Sequence, residues 1–159
     1  MVEIRKIKPQ DNEIIASIIR KVMTEFRANP ETTVLGDATL PTMYENYEVT
    51  SAVYYIAVLE DKVIGGCGIK QLAGSDEPVC ELQRMFILPE ARGKKIGKQL
   101  LELCITKAKE FGYEKIYLES LVQMKAARAL YEQYGFKKIN HPLGSTGHGG
   151  CDIWMVKDL

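Results

Sequence analysis

Residues 80–97 read CELQRMFILPEARGKKIG, and this stretch decides the fold. It starts as an apolar strand that ends near Leu88, turns at Pro89, and continues as a basic, glycine-bearing loop that opens a helix. Helix N-termini present unpaired N–H groups and a partial positive charge, so they bind phosphate without a dedicated side chain. A carboxylate on the strand, Glu81, lies upstream of the loop. The order predicts a phosphate-binding loop with a candidate acid or base nearby.

The loop itself admits three interpretations. Gly93 and Gly97 allow the backbone to approach a ligand closely, and the flanking side chains are positively charged, so a pyrophosphate would fit. The charge run alone favours a solvated, basic helix start. A nucleotide P-loop is excluded by spacing, because three residues rather than four separate the two glycines and no Ser or Thr follows Lys98.

Composition limits the alternatives. The chain has 159 residues, with 21 Lys plus Arg and 21 Asp plus Glu, so its formal net charge is zero. A nucleic-acid-binding domain usually has a marked basic excess, which is absent here. The four cysteines form no CxxC pair and there are only two histidines, which disfavours a zinc site and predicts no metal.

No stretch resembles a signal peptide or approaches the ~20 apolar residues of a membrane span. We therefore expect a cytoplasmic protein with reduced thiols and neither membrane nor nucleic-acid partners.

Periodicity alternates strands and helices along residues 1–159. A strand at residues 2–7 precedes a helix N-capped by Asp11, and a weaker helical segment is predicted at residues 42–50. Further strands are predicted at residues 54–59, 63–69, 80–88, 113–119, 136–139 and 151–156, and further helices from residue 97 to 111 and over 125–134. This order predicts one α/β (α+β) domain, with a mixed central sheet of about seven strands flanked by about four helices.

RGKKIG at residues 92–97 resembles the R/Q-x-x-G-x-G/A acyl-CoA signature of the GNAT N-acetyltransferases. The similarity covers nearly the whole chain and includes AARALYEQYGF at residues 126–136 and the strand and helix order. The endings CELQRMF and PLGSTGHGGCDIWM are similar to a small bacterial subgroup. The sequence departs from the family pattern at Lys95, usually Gly, and at Met124, where many members have Asn.

The resemblance implies acetyl-CoA as cofactor and a GNAT fold. It implies that backbone amides of the loop hold the pyrophosphate and that the pantetheine arm runs along the preceding strand, at a splay between neighbouring strands. The predicted cofactor-binding residues are Met85, Phe86, Ile87, Arg92, Gly93, Lys94, Lys95, Ile96, Gly97 and Lys98.

Acetyl transfer to an amine needs a base, a donor to the carbonyl oxygen and an acid for the leaving thiolate. Glu81 is the candidate base: it lies eleven residues before Arg92, the interval seen in the histone acetyltransferase branch of the family, and apolar neighbours would raise its pKa. An ion pair with Arg84 or a lysine is an equal alternative. The donor would be a backbone N–H at Phe86 or Ile87.

Tyr131 is the candidate acid, since the resemblance places it at the tyrosine of A-x-x-L-Y, beside the cofactor sulfur. Tyr134, on the same helix, is interpreted as a packing residue. Glu119 is a further carboxylate near the site, or else a partner of Lys115 or Arg128.

The loop from His141 to Gly150 has the composition of a binding loop, and we expect it to influence substrate choice. Its candidate substrate residues are Ser145, Thr146 and His148, and His148 is also an alternative base. Cys151 allows a covalent acetyl-cysteine, although a buried thiol is the simpler interpretation. The segment at residues 27–55 is expected to form the opposite wall, with one or two of its tyrosines lining the pocket.

These features predict an enzyme, an acetyl-CoA-dependent N-acetyltransferase acting by direct transfer on a primary amine of a small molecule or protein. They are compatible with a homodimer. The alternative is a non-catalytic acyl-CoA-binding sensor or regulatory module, suggested by Lys95 and Met124.

Overall fold

A seven-stranded mixed sheet runs through the computed structural model, which describes residues 1–159. The spatial order is β1-β2-β3-β4-β5-β7-β6, and every neighbouring pair is antiparallel except β4 and β5. The strands are β1 (Val2–Lys6), β2 (Val53–Leu59), β3 (Lys62–Gln71), β4 (Val79–Ile87), β5 (Lys115–Ser120), β6 (Lys137–Ile139) and β7 (Ile153–Asp158).

Helices cover both faces of the sheet. They are α1 (Asn12–Glu25), α2 (Met43–Asn46), α3 (Ile96–Glu110) and α4 (Lys125–Gln133). One apolar core joins the sheet to α3 and the α4 region, and a second joins its other face to α1 and α2. Burial on both faces explains why β2 reads as a continuous apolar run instead of an alternating one.

A two-residue turn joins β2 to β3. Glu60 and Asp61 both have positive φ angles, 49° and 63°, as a two-residue type I′ connection requires. On β3, the ring of Tyr54 lies across Gly66 and Gly68, where an added Cβ would meet it at 2.5 and 2.6 Å. The glycines therefore make room for a buried aromatic side chain.

Strands β4 and β5 separate soon after they meet. They pair in parallel only at Val79, Cys80 and Glu81, while β4 continues beside β3 as far as Ile87. The β3–β4 register shifts between Gly66 and Gly68, and Arg84 adopts a positive φ of 53°. The result is a gap between β4 and β5 that begins immediately after Glu81.

Backbone direction identifies the groups that face this gap. The Leu88 N–H donates to the Ile64 carbonyl of β3 at 2.9 Å. Because successive backbone groups of a strand point to opposite sides, the N–H of Ile87 faces away from β3 and into the gap. The Ile87 carbonyl points the same way and accepts a hydrogen bond from Arg92 Nε at 3.1 Å.

Three local predictions hold only in part. Asp11 is the N-cap residue of α1, as predicted, but its carboxylate makes no cap bond to the helix, because Arg5 engages both of its oxygens at 2.8 and 3.0 Å. The helix predicted at residues 42–50 is the single turn Met43–Asn46. The last strand begins at Ile153 rather than at Cys151, whose N–H closes a turn onto the His148 carbonyl.

Candidate active site

Two cavities meet at the gap between β4 and β5. The first, of about 270 Å³, is lined by Glu81 and Glu119 and is called here the carboxylate cavity. The second, of about 650 Å³, is lined by the loop before α3 and is called the basic cleft. Met85, Phe86 and Met124 line both, so a group bound in one cavity can reach a group bound in the other.

The basic cleft contains nearly all of the predicted cofactor-binding residues. The exception is Lys94, an exposed residue that does not line it. The predicted residues that do line it are Met85, Phe86, Ile87, Arg92, Gly93, Lys95, Ile96, Gly97 and Lys98. Val22 and Phe26 of the α1 region and Ala127 and Leu130 of α4 form its walls.

The backbone of the loop explains the glycine pattern. Gly93 has a φ of 80°, and a Cβ added there would meet no atom within 4 Å, so its exposed face is open to a ligand. Lys95, immediately before α3, has a φ of 62°, in the left-handed region that favours glycine. Lys95 therefore adopts the backbone conformation that favours the glycine usual at this position in the family. Gly97 packs closely, since a Cβ there would lie 3.2 Å from Ile87 Cδ1.

Arg92 fastens the loop to α1. Its guanidinium donates to both carboxylate oxygens of Glu25, at 2.8 and 2.9 Å, and lies over the Phe26 ring at 5.4 Å. The positive charge expected from Arg92 is thus matched by Glu25, and the side chain holds the C-terminal end of α1 beside the cleft.

Glu81 is the most deeply buried carboxylate of the carboxylate cavity, with 6% of its surface exposed. Burial and the nearby Glu119 raise its pKa to about 7, against the hydrogen bond from Gln83 and the attraction of Arg84. Gln83 Nε2 donates to Glu81 at 2.7 Å, and the Tyr47 hydroxyl donates to Gln83 Oε1 at 2.6 Å. The alternative of an ion pair with Arg84 or a lysine is not seen, because Arg84 binds Asp37 instead.

Glu119 is held by two hydroxyl groups. The Tyr117 hydroxyl and Thr146 Oγ1 each donate to it at 2.6 Å, so Thr146 links the 141–150 loop to β5. The partners considered from the sequence are engaged elsewhere: Lys115 with Asp158, and Arg128 with the Val122 carbonyl.

Tyr131 lines the carboxylate cavity but not the basic cleft. The residue is 7% exposed and packs against Phe136, and burial raises the pKa of its hydroxyl. A tyrosine in this state keeps its proton at neutral pH. Tyr134 directly follows α4 and is a packing residue, as predicted: it is half-buried against the core, and its hydroxyl donates to Glu102.

Sequence reasoning missed the cationic part of the carboxylate cavity. Arg84 Nη2 donates to Asp37 at 2.8 Å and to Thr39 at 3.0 Å, and its side chain is only 7% exposed. Hydrogen bonds from Thr39 and the charge of Arg84 lower the pKa of Asp37 to about 2, against the effect of its burial. Lys70 lines the same wall. These residues come from distant segments, so no local pattern joins them.

The 141–150 loop reaches this cavity through only part of its predicted set. Thr146 and His148 line it, with His148 Nε2 at 3.4 Å from Asp37 Oδ2. Ser145 is not part of the lining; its N–H donates to the Ala73 carbonyl. From residues 27–55 the lining comprises Val34, Asp37, Thr39 and Asn46, and none of the tyrosines.

Cys151 also lines this cavity, but its chemistry disfavours a covalent role. Burial and the charges of Glu119 and Glu81 raise the pKa of its thiol to about 12. The nucleophile in thiol chemistry is the thiolate, which is scarce at neutral pH in such a setting.

Comparison with known proteins identifies the family. Residues 16–136 match the family model described as "Acetyltransferase (GNAT) family". The chain is 38% identical over 156 residues to the uncharacterised N-acetyltransferase YjgM of Escherichia coli K12, which covers 98% of this chain and 93% of that protein. It is 30% identical to the IAA acetyltransferase of Azospirillum brasilense, over 67% of this chain and 69% of that protein.

The fold agrees with the same grouping. A GNAT-family acetyltransferase from Staphylococcus aureus Mu50 superimposes with a TM-score of 0.87 at 22% identity, covering 99% of both chains. PaiA N-acetyltransferase from Thermoplasma acidophilum, crystallised with coenzyme A, gives a TM-score of 0.72 at 23% identity, covering 100% of this chain and 99% of that one. The chain belongs to the GNAT acetyltransferase family, which confirms the family, fold and acyltransferase class predicted from the sequence.

None of the helices combines the length and the apolar composition that a membrane-spanning segment needs. No group of three or more His, Cys, Asp or Glu side chains is placed to hold a metal ion.

Proposed function

We propose that the protein transfers an acetyl group from acetyl-CoA directly to a primary amine. One observation supports this most strongly: the basic cleft and the carboxylate cavity meet at Met85, Phe86 and Met124, with Glu81 on one side of the junction and the loop before α3 on the other. The N-acetyltransferase named among the relatives, and the coenzyme A bound to PaiA, are consistent with it.

The basic cleft has the features that an acyl-CoA needs. Backbone amides of residues 92–98 would hold the pyrophosphate, since they lie at the start of α3 and Gly93 leaves their approach open. The edge of β4 at residues 85–87, which has no partner strand on the β5 side, would hydrogen-bond the pantetheine arm. Acetyl-CoA supplies the acetyl group as a thioester.

Glu81 would prepare the amine. A carboxyl group with a pKa of about 7 is about half ionised at neutral pH, so it can take a proton from the substrate ammonium and release the nitrogen lone pair. Tyr47 and Gln83 would orient its carboxylate, since they form a continuous hydrogen-bonded chain to it.

Two other groups would assist at the carbonyl. The amine nitrogen forms its bond to the acetyl carbon as the C–S bond breaks, and the departing sulfur takes a proton from Tyr131, whose hydroxyl is kept protonated at neutral pH by burial. The second proton of the attacking nitrogen leaves to solvent, and a proton from solvent restores Tyr131. Of the two backbone donors considered, Ile87 is favoured over Phe86, because the direction of the Leu88 N–H places the Ile87 N–H in the gap.

The purified protein should be mixed with acetyl-CoA and a panel of primary amines, with free thiol followed by colorimetry and products by mass spectrometry. We expect thiol release that depends on the amine and an acetylated product of matching mass. Tight acetyl-CoA binding without transfer to any amine would instead favour the non-catalytic sensor.

Tyr131→Phe tests the acid role. We expect kcat to fall about 10- to 100-fold, within the lower range of general acid catalysis, with KM for acetyl-CoA nearly unchanged. Tyr134→Phe is the matched control, since it removes a tyrosine hydroxyl just after the same helix, where the hydroxyl donates to Glu102 and lies outside both cavities. Full turnover in Tyr131→Phe would eliminate the role.

A further inference from the structure

Lys70 is a cation without a matching anion. It lies on β3 and lines the carboxylate cavity, and its Nζ donates to the carbonyl and side-chain oxygens of Asn46 at 2.9 and 3.1 Å. Both acceptors are neutral, and none of the protein's ion pairs includes Lys70. Burial and the nearby charge of Arg84 lower the pKa of Lys70, so an anion placed there would relieve an unfavourable arrangement.

The neighbouring charges do not supply that anion. Asp37 is the carboxylate of this wall, and it is already bound by Arg84 and Thr39 with His148 nearby. Two fixed positive charges, Arg84 and Lys70, therefore share one negative charge.

The opposite imbalance occurs elsewhere in the same cavity. Glu81 is bound by an amide and Glu119 by two hydroxyls, so neither carboxylate is paired with a cation. Lys70 and Glu81 are cross-strand partners in the β3–β4 register, which places the two imbalances about 5 Å apart at their Cα atoms. The cavity therefore has a cationic part and an anionic part, separated by a distance that a small molecule can span.

We propose that the acceptor is an amino-acid-sized zwitterion, with its carboxylate held by Lys70 beside Arg84 and its amine facing Glu81 and Glu119. This rests on the proposed acetyl transfer to an amine. A cavity of about 270 Å³ suits a molecule of this size. A diamine would place its second ammonium against Lys70 and Arg84, and a simple alkylamine would leave Lys70 unmatched.

The test compares acceptors that differ only in the anion. α-, β- and γ-amino acids are assayed with acetyl-CoA beside their carboxamides and, where these exist, their decarboxylated amines. The variants are Lys70→Met and, as control, Lys138→Met, which removes an exposed lysine from β6. The same compounds are added without acetyl-CoA while the unfolding temperature is measured.

We expect kcat/KM for at least one amino acid to exceed that of its carboxamide by tenfold or more. In Lys70→Met the kcat/KM for the amino acid should come within about twofold of that for its carboxamide, because KM for the amino acid rises while kcat stays the same. Lys138→Met should retain the wild-type preference for the amino acid. Equal kcat/KM for acid and amide, or a preference that survives Lys70→Met, overturns the proposal while leaving amine acetylation intact.

If no acceptor is acetylated, the proposed function is contradicted, and the binding measurement alone tests whether the cavity holds a zwitterion. An amino acid that raises the unfolding temperature of the wild type, but not of Lys70→Met, supports the zwitterion site. Equal shifts by acid and amide, or no shift by any amino acid, overturn it.

Discussion

The basic cleft and the carboxylate cavity are adjacent, yet their lining residues are distributed differently along the sequence. Ten of the 19 residues that line the cleft come from one short segment, Met85–Lys98, where two glycines and a helix start set the conformation of the loop. The cavity combines residues of three strands, β3, β4 and β5, with residues of the segment before α2 and of the loop before β7, which lie far apart in the sequence. A cofactor shared by a family is bound by a local motif, whereas the acceptor site is assembled by tertiary structure and is free to vary.

The largest effect is expected from Glu81→Gln, which removes the candidate base from the carboxylate cavity. We expect kcat/KM to fall about 100- to 1000-fold for any amine that the wild type acetylates, as for loss of a general base. The wild-type kcat/KM should rise with pH through about 7 as Glu81 ionises, and the variant should lack that step.

The control is Glu114→Gln, which alters an exposed glutamate outside both cavities. A pH profile for Glu81→Gln that keeps the wild-type step near pH 7 would assign the titration to another group.

The same substitution should change the pH dependence of stability. Because the folded state raises the pKa of Glu81 from 4.5 to about 7, its neutral form contributes stability that is complete below pH 4.5 and lost as pH rises to about 7. Urea unfolding at pH 5 and pH 8 should therefore show a smaller loss of stability in Glu81→Gln than in the wild type. An equal loss in both proteins would contradict the raised pKa.

The contrast also explains how much could be predicted from the sequence. The strand, loop and helix around residues 80–97 follow from apolar patterning and glycine placement, and the family resemblance adds the cofactor-binding role of residues 85–98. The walls that α1 and α4 contribute to the basic cleft were not predicted, because they depend on how these helices pack. Asp37 and Arg84 are 47 residues apart, and their ion pair depends on how the segment before α2 crosses the sheet. Ser145 and Thr146 are neighbours of similar chemistry, and only the packed loop determines that Thr146 turns inward.

Arg84→Met tests the dependence of the cavity on that distant contact. Removing one partner of a mostly buried pair leaves Asp37 without its cation, and we expect a loss of about 3 kcal/mol in the free energy of unfolding. Lys62→Met is the comparison, since the Lys62–Glu90 pair is exposed and should cost less than about 1 kcal/mol. If urea unfolding gives similar losses of the free energy of unfolding for both variants, the buried pair stabilises the protein no more than the exposed pair does.

Gly93→Ala addresses the other side of the comparison. A methyl group at this φ of 80° adds backbone strain and occupies the open face of the loop, so we expect KM for acetyl-CoA to rise about tenfold, equivalent to about 1.4 kcal/mol, with KM for the acceptor little changed. Gly112→Ala is a matched control, because Gly112 has a φ of 87° and equally open surroundings but lies outside the cleft. If Gly112→Ala raises KM for acetyl-CoA by the same factor, the rise in Gly93→Ala is caused by backbone strain and not by the methyl group blocking the loop.

The smallest effect is expected from Lys95→Gly, which restores the family residue. A left-handed lysine costs about 1–2 kcal/mol, while glycine costs about 0.5–1 kcal/mol in unfolded-chain entropy, so the net stabilisation should lie between about 0 and 1.5 kcal/mol. Lys94→Gly, next to it but without a positive φ, should be slightly destabilising in the same urea titration. KM for acetyl-CoA should be nearly unchanged in Lys95→Gly, because backbone N–H groups rather than this side chain would hold the phosphate. A large rise in that KM would mean that Lys95 contributes its charge to the cleft, and that this lysine replaces the family glycine for binding despite the strain.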